Sequence, residues 1–532
     1  TFRKAPKFFD VVTYTGNGTA GRTVSHNLGS VPGMLIIRRR DTGASWYVHH
    51  RELANTDVIF LDSAAAKSTN QTRFLNSTTP TATEFTLGDE DDINGSGGTY
   101  VAYLFAHNNN DGEFGPDGDA DIIKCGSYSG TSSSGNAINL GFEPQWVLIK
   151  NATTSVGDWY IYDSMRGVIT GSGDREIEAN DNATEAASSG GSQNWIDFNA
   201  TGFSMMDNYE GVNQSGKTYI YMAIRRGPLA APENATKVFG IDTLDSTAPG
   251  FDSNFVVDMA FERNVSGESD TRIASRLTGE TTLRTNTTGA ETAATSNSWD
   301  YMDGWFYDLS SNSSKYSWMW KRAPGYFDVV AYTGTGSGNL QISHNLGVAP
   351  EMMWVKIRSG ATNDWVVYHK DLPTSGNTKK SLFLNSTSAG GYGDYFANAS
   401  SVHVAPTSSV FTLGSEAAVN GSSSYNYIAY LFATVPGVSK VGSVSHTSGS
   451  TTNVDCGFSS GARFVILKAS SIASQWMVFD SVRGIVSGND PYLRLNQTGA
   501  EVTGTDIIDP YSAGFAIDAT VSTATYIFYA IA

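Results

Sequence analysis

The sequence predicts an all-β protein of about five tandem β-sandwich modules, jelly-roll or lectin-like in type, on three observations. Gly is abundant, 55 in 532 residues, while only 16% of residues are charged, a composition suited to short strands joined by tight turns. Apolar and aromatic residues come in short runs bounded by Gly, Asn, Ser or Pro: "FDVVTYTG", "MLIIRR", "WYVHH" and "YVAYLFA" have the length and the Val, Ile, Tyr and Phe content of strands. These runs then return, in the same order, further along the chain, and no segment keeps a helical period.

The strongest repeat links residues 7–107 to residues 325–433. "VSHNLGSVPGMLIIRR" (24–39) returns as "ISHNLGVAPEMMWVKIR" (342–358), "SWYVHH" (45–50) as "DWVVYH" (364–369), "FLNST" (74–78) as "FLNST" (383–387), and "YVAYLFA" (100–106) as "YIAYLFA" (427–433). These are modules A1 and A2. A second type, opening on "IIKCGSYSG" and "KVGSVSHTSG", gives module B1 (121–226) and module B2 (439–532), which share "DWYIYDSMRG" and "QWMVFDSVRG". Residues 237–321 form a divergent module C, without "HNLG" and without the Trp strand. Residues 1–6 read as the end of a preceding module, because "FRKAPKFFDVV" (2–12) matches "WKRAPGYFDVV" (320–330), where one module hands over to the next.

Within a module, each "HNLG" followed by Pro32 or Pro350 reads as a turn between strands. In "TYIYMAI", Tyr219, Tyr221 and Ala223 share one face and Ile220, Met222 and Ile224 the other, so both faces of this strand are expected to be covered. Asn76, Asn286, Asn385 and Asn496 lie in related Asn-X-Ser/Thr triplets and read as turn-forming residues. The Trp at the head of the fourth strand recurs as Trp46, Trp159, Trp365 and Trp476 and reads as core.

Charge and motif content narrow the function. The net charge of −17 disfavours nucleic acid and anionic membrane surfaces, and no apolar run is long enough to insert in a membrane. Cys125 and Cys456 sit at different places in different modules and read as small buried thiols. Asp117, Asp119 and Asp121 alternate in "GPDGDAD", a spacing with which loops gather Ca²⁺, although the full EF-hand pattern is missing; calcium is the only cofactor this sequence suggests. Asp163 near Arg166, and Asp480 near Arg483, read as structural pairs, since no second carboxylate or nucleophile–base pair recurs beside them. His26 and His344 fall in the turn, and His50 and His369 at a strand end, without metal-ligand spacing. No catalytic residue is assigned, and the chain reads as non-enzymatic. Recognition is expected in the variable stretches 51–73, 168–198 and 388–408.

The phrases "FLNST", "SVFTLG", "YIAYLFA", "WKRAPGYFDVVAYTGTG", "HNLGVAPEMMWVK" and "DIIKCGSYSG" resemble uncharacterised tandem β-modules of marine bacteriophage virion proteins, of tail fibre or structural protein type. That resemblance covers nearly the whole chain. It implies a location on the virion exterior and an appendage or tail fibre protein that contacts the host surface. The partners it implies are copies of itself, other virion proteins and a host surface glycan or receptor. The alternatives are a purely structural decoration or surface-filament protein and, less favoured, a glycan depolymerase. The repeat at residues 2–12 carries its own expectation: the native polypeptide extends upstream of Thr1, and an intact mass of 56.9 kDa for the native protein would contradict it.

Overall fold

The computed structural model describes residues 1–171, 173–187, 194–307 and 312–532. It is all-β, with α-helix confined to the single turns Asp91–Asn94 and Ala417–Asn420 among the described residues. Two compact units divide the chain, Thr1–Gly227 and Pro228–Ala532.

Among the described residues every sheet is antiparallel, and none joins strands of different modules. In A1, Phe9–Thr15 pairs with Thr99–Phe105, which pairs with Met34–Arg39, followed by Tyr47–His50 and Ile59–Phe60; a second sheet pairs Arg22–Ser25 with Glu84–Leu87. B2 repeats the order with Ser439–His446, Ala524–Ile531, Phe464–Ala469, Met477–Asp480 and Leu493–Arg494. First and last strands therefore lie side by side, so each module closes on itself before the chain moves on. The modules are β-sandwiches of one larger and one smaller sheet.

The larger sheet of each module is apolar on both faces. In Thr218–Arg225, Tyr219, Tyr221 and Ala223 join Val147, Ile149, Phe203 and Met205 in B1's own core. Ile220 and Met222, on the opposite face, join a core that includes Met34, Ile36 and Phe105 of A1. The second face is thus covered by the neighbouring module and not by a second sheet of the same one.

In the unit Pro228–Ala532 this second face becomes a hub shared by three modules. Phe261 of C stacks on Trp354 of A2 at 5.8 Å, Phe432 of A2 meets Tyr529 of B2 at 4.9 Å, and Phe239 of C meets Phe464 of B2 at 5.0 Å. Trp320 sits among them with 0% exposure, its ring 4.9, 4.7 and 5.4 Å from those of Phe239, Phe261 and Phe464. Burying one such ring removes roughly 200 Å² from water, worth about 5 kcal/mol as an upper bound, against roughly 0–1 kcal/mol for an exposed ion pair. Apolar burial decides the arrangement.

The shared junction motif now has a mechanism. Ala5 bridges to Phe9, Ala323 to Phe327 and Val435 to Ser439, each around a residue of positive φ: Lys7 (57°), Gly325 (72°) and Gly437 (73°). Glycine takes that conformation without strain, and A1 alone holds it with a side chain. Behind the turn, Asp328 pairs with Arg322 at 2.6 Å and accepts the Asn345 amide at 2.8 Å, tying the junction to the "HNLG" turn. Asp10 does the same with Lys4 (2.6 Å) and the Asn27 amide (2.7 Å).

One sequence equivalence is corrected. "FLNST" at 383–387 ends the strand Thr378–Phe383, but its structural counterpart in A1 is "FLDSA" at 60–64, since Val366 pairs with Phe383 as Tyr47 pairs with Phe60. Phe74–Thr78 is instead a separate turn with Asn76 and Ser77 at positive φ. Identical letters arise there because a Phe followed by a buried Leu and a turn suits both places.

Substituting Trp320→Ala is expected to cost the unit Pro228–Ala532 about 3–5 kcal/mol in urea unfolding. Phe2→Ala, at the matching position but 39% exposed, is expected to cost less than half of that.

Candidate functional site

The most elaborate polar arrangement lies where modules meet. A Trp and a Lys of one module reach two backbone carbonyls of a neighbouring module, one at the end of the strand paired to its fourth strand and one in the turn after it. From A2, Trp365 Nε1 donates to Arg284 O of C (2.8 Å), and Lys356 Nζ donates to Thr288 O of C (2.8 Å) and to Asn363 O of its own module (2.7 Å). From B2, Trp476 Nε1 donates to Phe383 O of A2 (2.9 Å), while Lys468 Nζ reaches Thr387 O (3.0 Å) and Ser474 O (2.7 Å). From B1, Trp159 Nε1 donates to Phe60 O of A1 (2.8 Å), and Lys150 Nζ to Ala64 O and Gly157 O (both 2.8 Å). The recipient carbonyls are four residues apart in all three cases.

Module C makes the equivalent contact with different residues. Met259–Asn264 pairs with Asn312–Trp320 as Met352–Ser359 pairs with Asn426–Phe432, which puts Arg263 at the Lys356 position. Its guanidinium donates to Arg494 O of B2 (2.9 Å) and to Gly499 O. Thr285 adds a 2.5 Å hydrogen bond to Leu495 O, and Trp318 Nε1 donates to Asp480 Oδ2 at 3.0 Å. A2 therefore clasps C, B2 clasps A2 and C clasps B2, a closed cycle of three.

Burial sets the electrostatics. Lys150, Lys356 and Lys468 are each 0% exposed, and desolvation lowers their ammonium groups to about 8. Desolvation likewise lowers Arg263 to about 10. Two carbonyl oxygens take the place of water around each ammonium, and among the described residues no carboxylate touches it. Arg358 and Glu291, 2.9 Å apart, add one buried ion pair between A2 and C.

Residues singled out by sequence occupy defined places. Asp163 accepts the amides of Met165 (3.0 Å) and Arg166 (2.8 Å) and the Arg166 Nε (2.8 Å), so it caps a turn; Asp480 repeats this with Val482 and Arg483. The ring Nδ1 of His26 and of His344 accepts the amide two residues on. His50 lies 3.1 Å from Tyr221 O, between A1 and B1, and burial lowers it to about 3. Asn286, Asn385 and Asn496 hydrogen-bond Asp270, Asp364 and Gln475, and Asn385 and Asn496 also hold the Trp365 and Trp476 amides. Cys125 and Cys456 are free, buried thiols.

The carboxylates of "GPDGDAD" are not brought within 4.8 Å of one another. Asp121 accepts the Asn110 and Gly112 amides at 2.8 and 2.9 Å, while Asp117 and Asp119 are exposed around the Gly118 turn. Among the described residues, the metal-ligating types that do converge within 4.8 Å are Asp506, Asp509 and Asp518 of B2. Asp518 is engaged by the Thr520 amide at 2.7 Å.

The interface lysines were missed by motif reading. Their signal was present in "WVLIK", "MMWVK" and "FVILK", where a lysine stands at one repeat position inside an otherwise apolar strand. Trp159, Trp365 and Trp476 are buried as expected, whereas Trp46 is only partly buried. The variable stretch 51–73 contains the recipient strand Ile59–Phe60 as well as loops, and 168–198, of which 172 and 188–193 lie outside the described residues, contains the strand Arg175–Glu178.

Between pH 8 and 9.5 the folded chain releases protons from these lysines while the unfolded chain, at about 10.5, keeps them. Stability should therefore rise with pH across this window, by up to about 1 kcal/mol per buried lysine per unit. Lys356→Met is expected to remove its share of that slope, read from urea midpoints at each pH.

No curated protein matches the chain. A family match covers residues 5–228 and 245–532, and the gap falls just after the boundary between the two units. By that match, over nearly its full length, the chain belongs to the family described as Domain of unknown function (DUF7483).

Proposed function

We propose that this protein is a non-enzymatic component of the outside of a bacteriophage particle, of tail fibre or appendage type, that meets the host surface through loops. The observation that carries this reading is the double use of each larger sheet: one face fills the module's own sandwich, the other packs on a neighbouring module. The recurrent residues of the repeats, Trp, Lys, Asp and "HNLG", serve packing, turns and clasps, which leaves exposed loops as the surface free to vary. Resemblance of the repeated phrases to phage virion modules supplies the setting. Host glycan or a receptor is the partner this reading implies.

A purely structural role, decoration or filament, is the second reading. It is favoured by the apolar residues of the unit Thr1–Gly227 that remain open, Phe2 and Ile177 being each 39% exposed.

The deciding experiment images intact particles with a label on this chain and measures binding of the purified protein to host cells. The first reading expects label on a projecting appendage and saturable cell binding. Label on the capsid shell without cell binding would replace it with the second.

A further inference from the structure

Among the described residues the unit Thr1–Gly227 contains one clasp where the unit Pro228–Ala532 contains three, and it leaves the residues of two more unused. Trp46 stands at the Trp365 position: its amide is held by Asp62 Oδ1 at 3.2 Å, as the Trp365 amide is held by Asn385 Oδ1 at 3.0 Å. Arg38 stands at the Lys356 position, pairing through Met34–Arg39 as Lys356 does through Met352–Ser359. Among the described residues neither side chain reaches a carbonyl. Arg38 lies over the Trp46 ring at 5.6 Å, and its Nη1 is buried without a hydrogen-bond partner. A1 thus presents a donor pair with no recipient.

B1 presents the converse. Glu178 pairs with Tyr160 as Phe60 pairs with Tyr47 and Phe383 with Val366, so Glu178 O and Asn182 O occupy the places where Phe60 O and Ala64 O receive Trp159 and Lys150. Among the described residues no indole, ammonium or guanidinium reaches either. The unused donor and the unused recipient line one open cleft, formed by Trp46 and Asp62 of A1 and by Ala179, Asn180, Asp181 and Asn182 of B1.

The apolar faces beside this cleft match. Trp354, Tyr430 and Phe464, which are 0% exposed, correspond to Ile36, Tyr103 and Trp146, of which Tyr103 and Trp146 are only partly buried. Leu493, 2% exposed, corresponds to Ile177 at 39%. Phe2 repeats Trp320: its ring meets Phe105 at 5.3 Å and Trp146 at 6.2 Å, as Trp320 meets Phe464 at 5.4 Å, yet Phe2 is 39% exposed and Trp320 0%.

We propose that the cleft between A1 and B1 is the seat of a third β-sandwich module of this same kind, delivered through its closing strand at the Phe2 position and completing a cycle like that of C, A2 and B2. Its outer strand offers two carbonyls to Trp46 and Arg38. Its own donors, a Trp and a Lys as in A2 and B2 or an Arg as in C, reach Glu178 O and the carbonyl four or five residues on. Since backbone carbonyls receive on both sides, fit depends on the sandwich shape and on an apolar inner face more than on particular side chains.

The test joins residues 228–320 ahead of Arg3 in the full chain, so that Trp320 replaces Phe2 and a second copy of module C is offered to the seat. Hydroxyl-radical labelling of each Trp and amide exchange of residues 177–182 are read by mass spectrometry. In the unmodified chain Trp46 should label about tenfold faster than Trp365 or Trp476, and in the extended chain it should fall to their level while residues 177–182 gain protection. Trp46→Ala in the extended chain should return residues 177–182 toward their open exchange. Equal labelling of the three indoles in the unmodified chain would overturn the proposal. So would an added module that stays unfolded, or that folds and leaves Trp46 and residues 177–182 as open as before. A concentration-dependent loss of Trp46 labelling, with a doubling of mass in the unmodified chain, would put a second copy in the seat and overturn it equally.

Discussion

A buried indole or cation donating to a backbone carbonyl of the next module is the contact on which the arrangement depends. Apolar burial supplies most of the free energy of the shared hub, but it is indifferent to rotation and slip. Trp365, Trp476 and Arg263 fix each module against its neighbour because a carbonyl left without a donor in that hub costs roughly 1–3 kcal/mol. Closing the cycle multiplies the constraint: no one of C, A2 and B2 can turn without breaking two clasps.

This device tolerates sequence drift. A carbonyl is present at every residue, so the receiving strand can read Arg284, Phe383 or Phe60 and still accept the indole. The donor is more restricted, yet Lys and Arg interchange at one position, and module C replaces the Trp with Thr271, whose hydroxyl accepts from Arg263 at 2.9 Å. Divergence of C is thereby compatible with the same assembly. An assembly held by packing and by backbone carbonyls can vary its loops without losing its frame.

Strands, turns and the all-β class were legible because period-2 alternation and Gly-bounded runs are local properties. Coverage of both faces of "TYIYMAI" was legible for the same reason, but the identity of the second cover was not: alternation says that Ile220 and Met222 are buried, not by what. Lys356 was passed over because a lone lysine in a strand usually points to water, and only the third dimension places Thr288 O and Asn363 O around it. "FLNST" misled because letters recur where local demands recur. Convergence of Asp506, Asp509 and Asp518 depends on the hairpin pairing Ile508–Tyr511 with Gly514–Ile517, a register that sequence spacing does not announce.

The central claim, that indole-to-carbonyl clasps hold neighbouring modules together, is tested most directly by solvent exchange of the indole N–H groups in protein labelled at tryptophan with ¹⁵N. Trp159, Trp365 and Trp476 are predicted to exchange only with the cooperative opening of their units, and to respond together to added urea. Exchange of any of the three at the rate of a free indole, in a chain whose strands remain protected, would contradict the account.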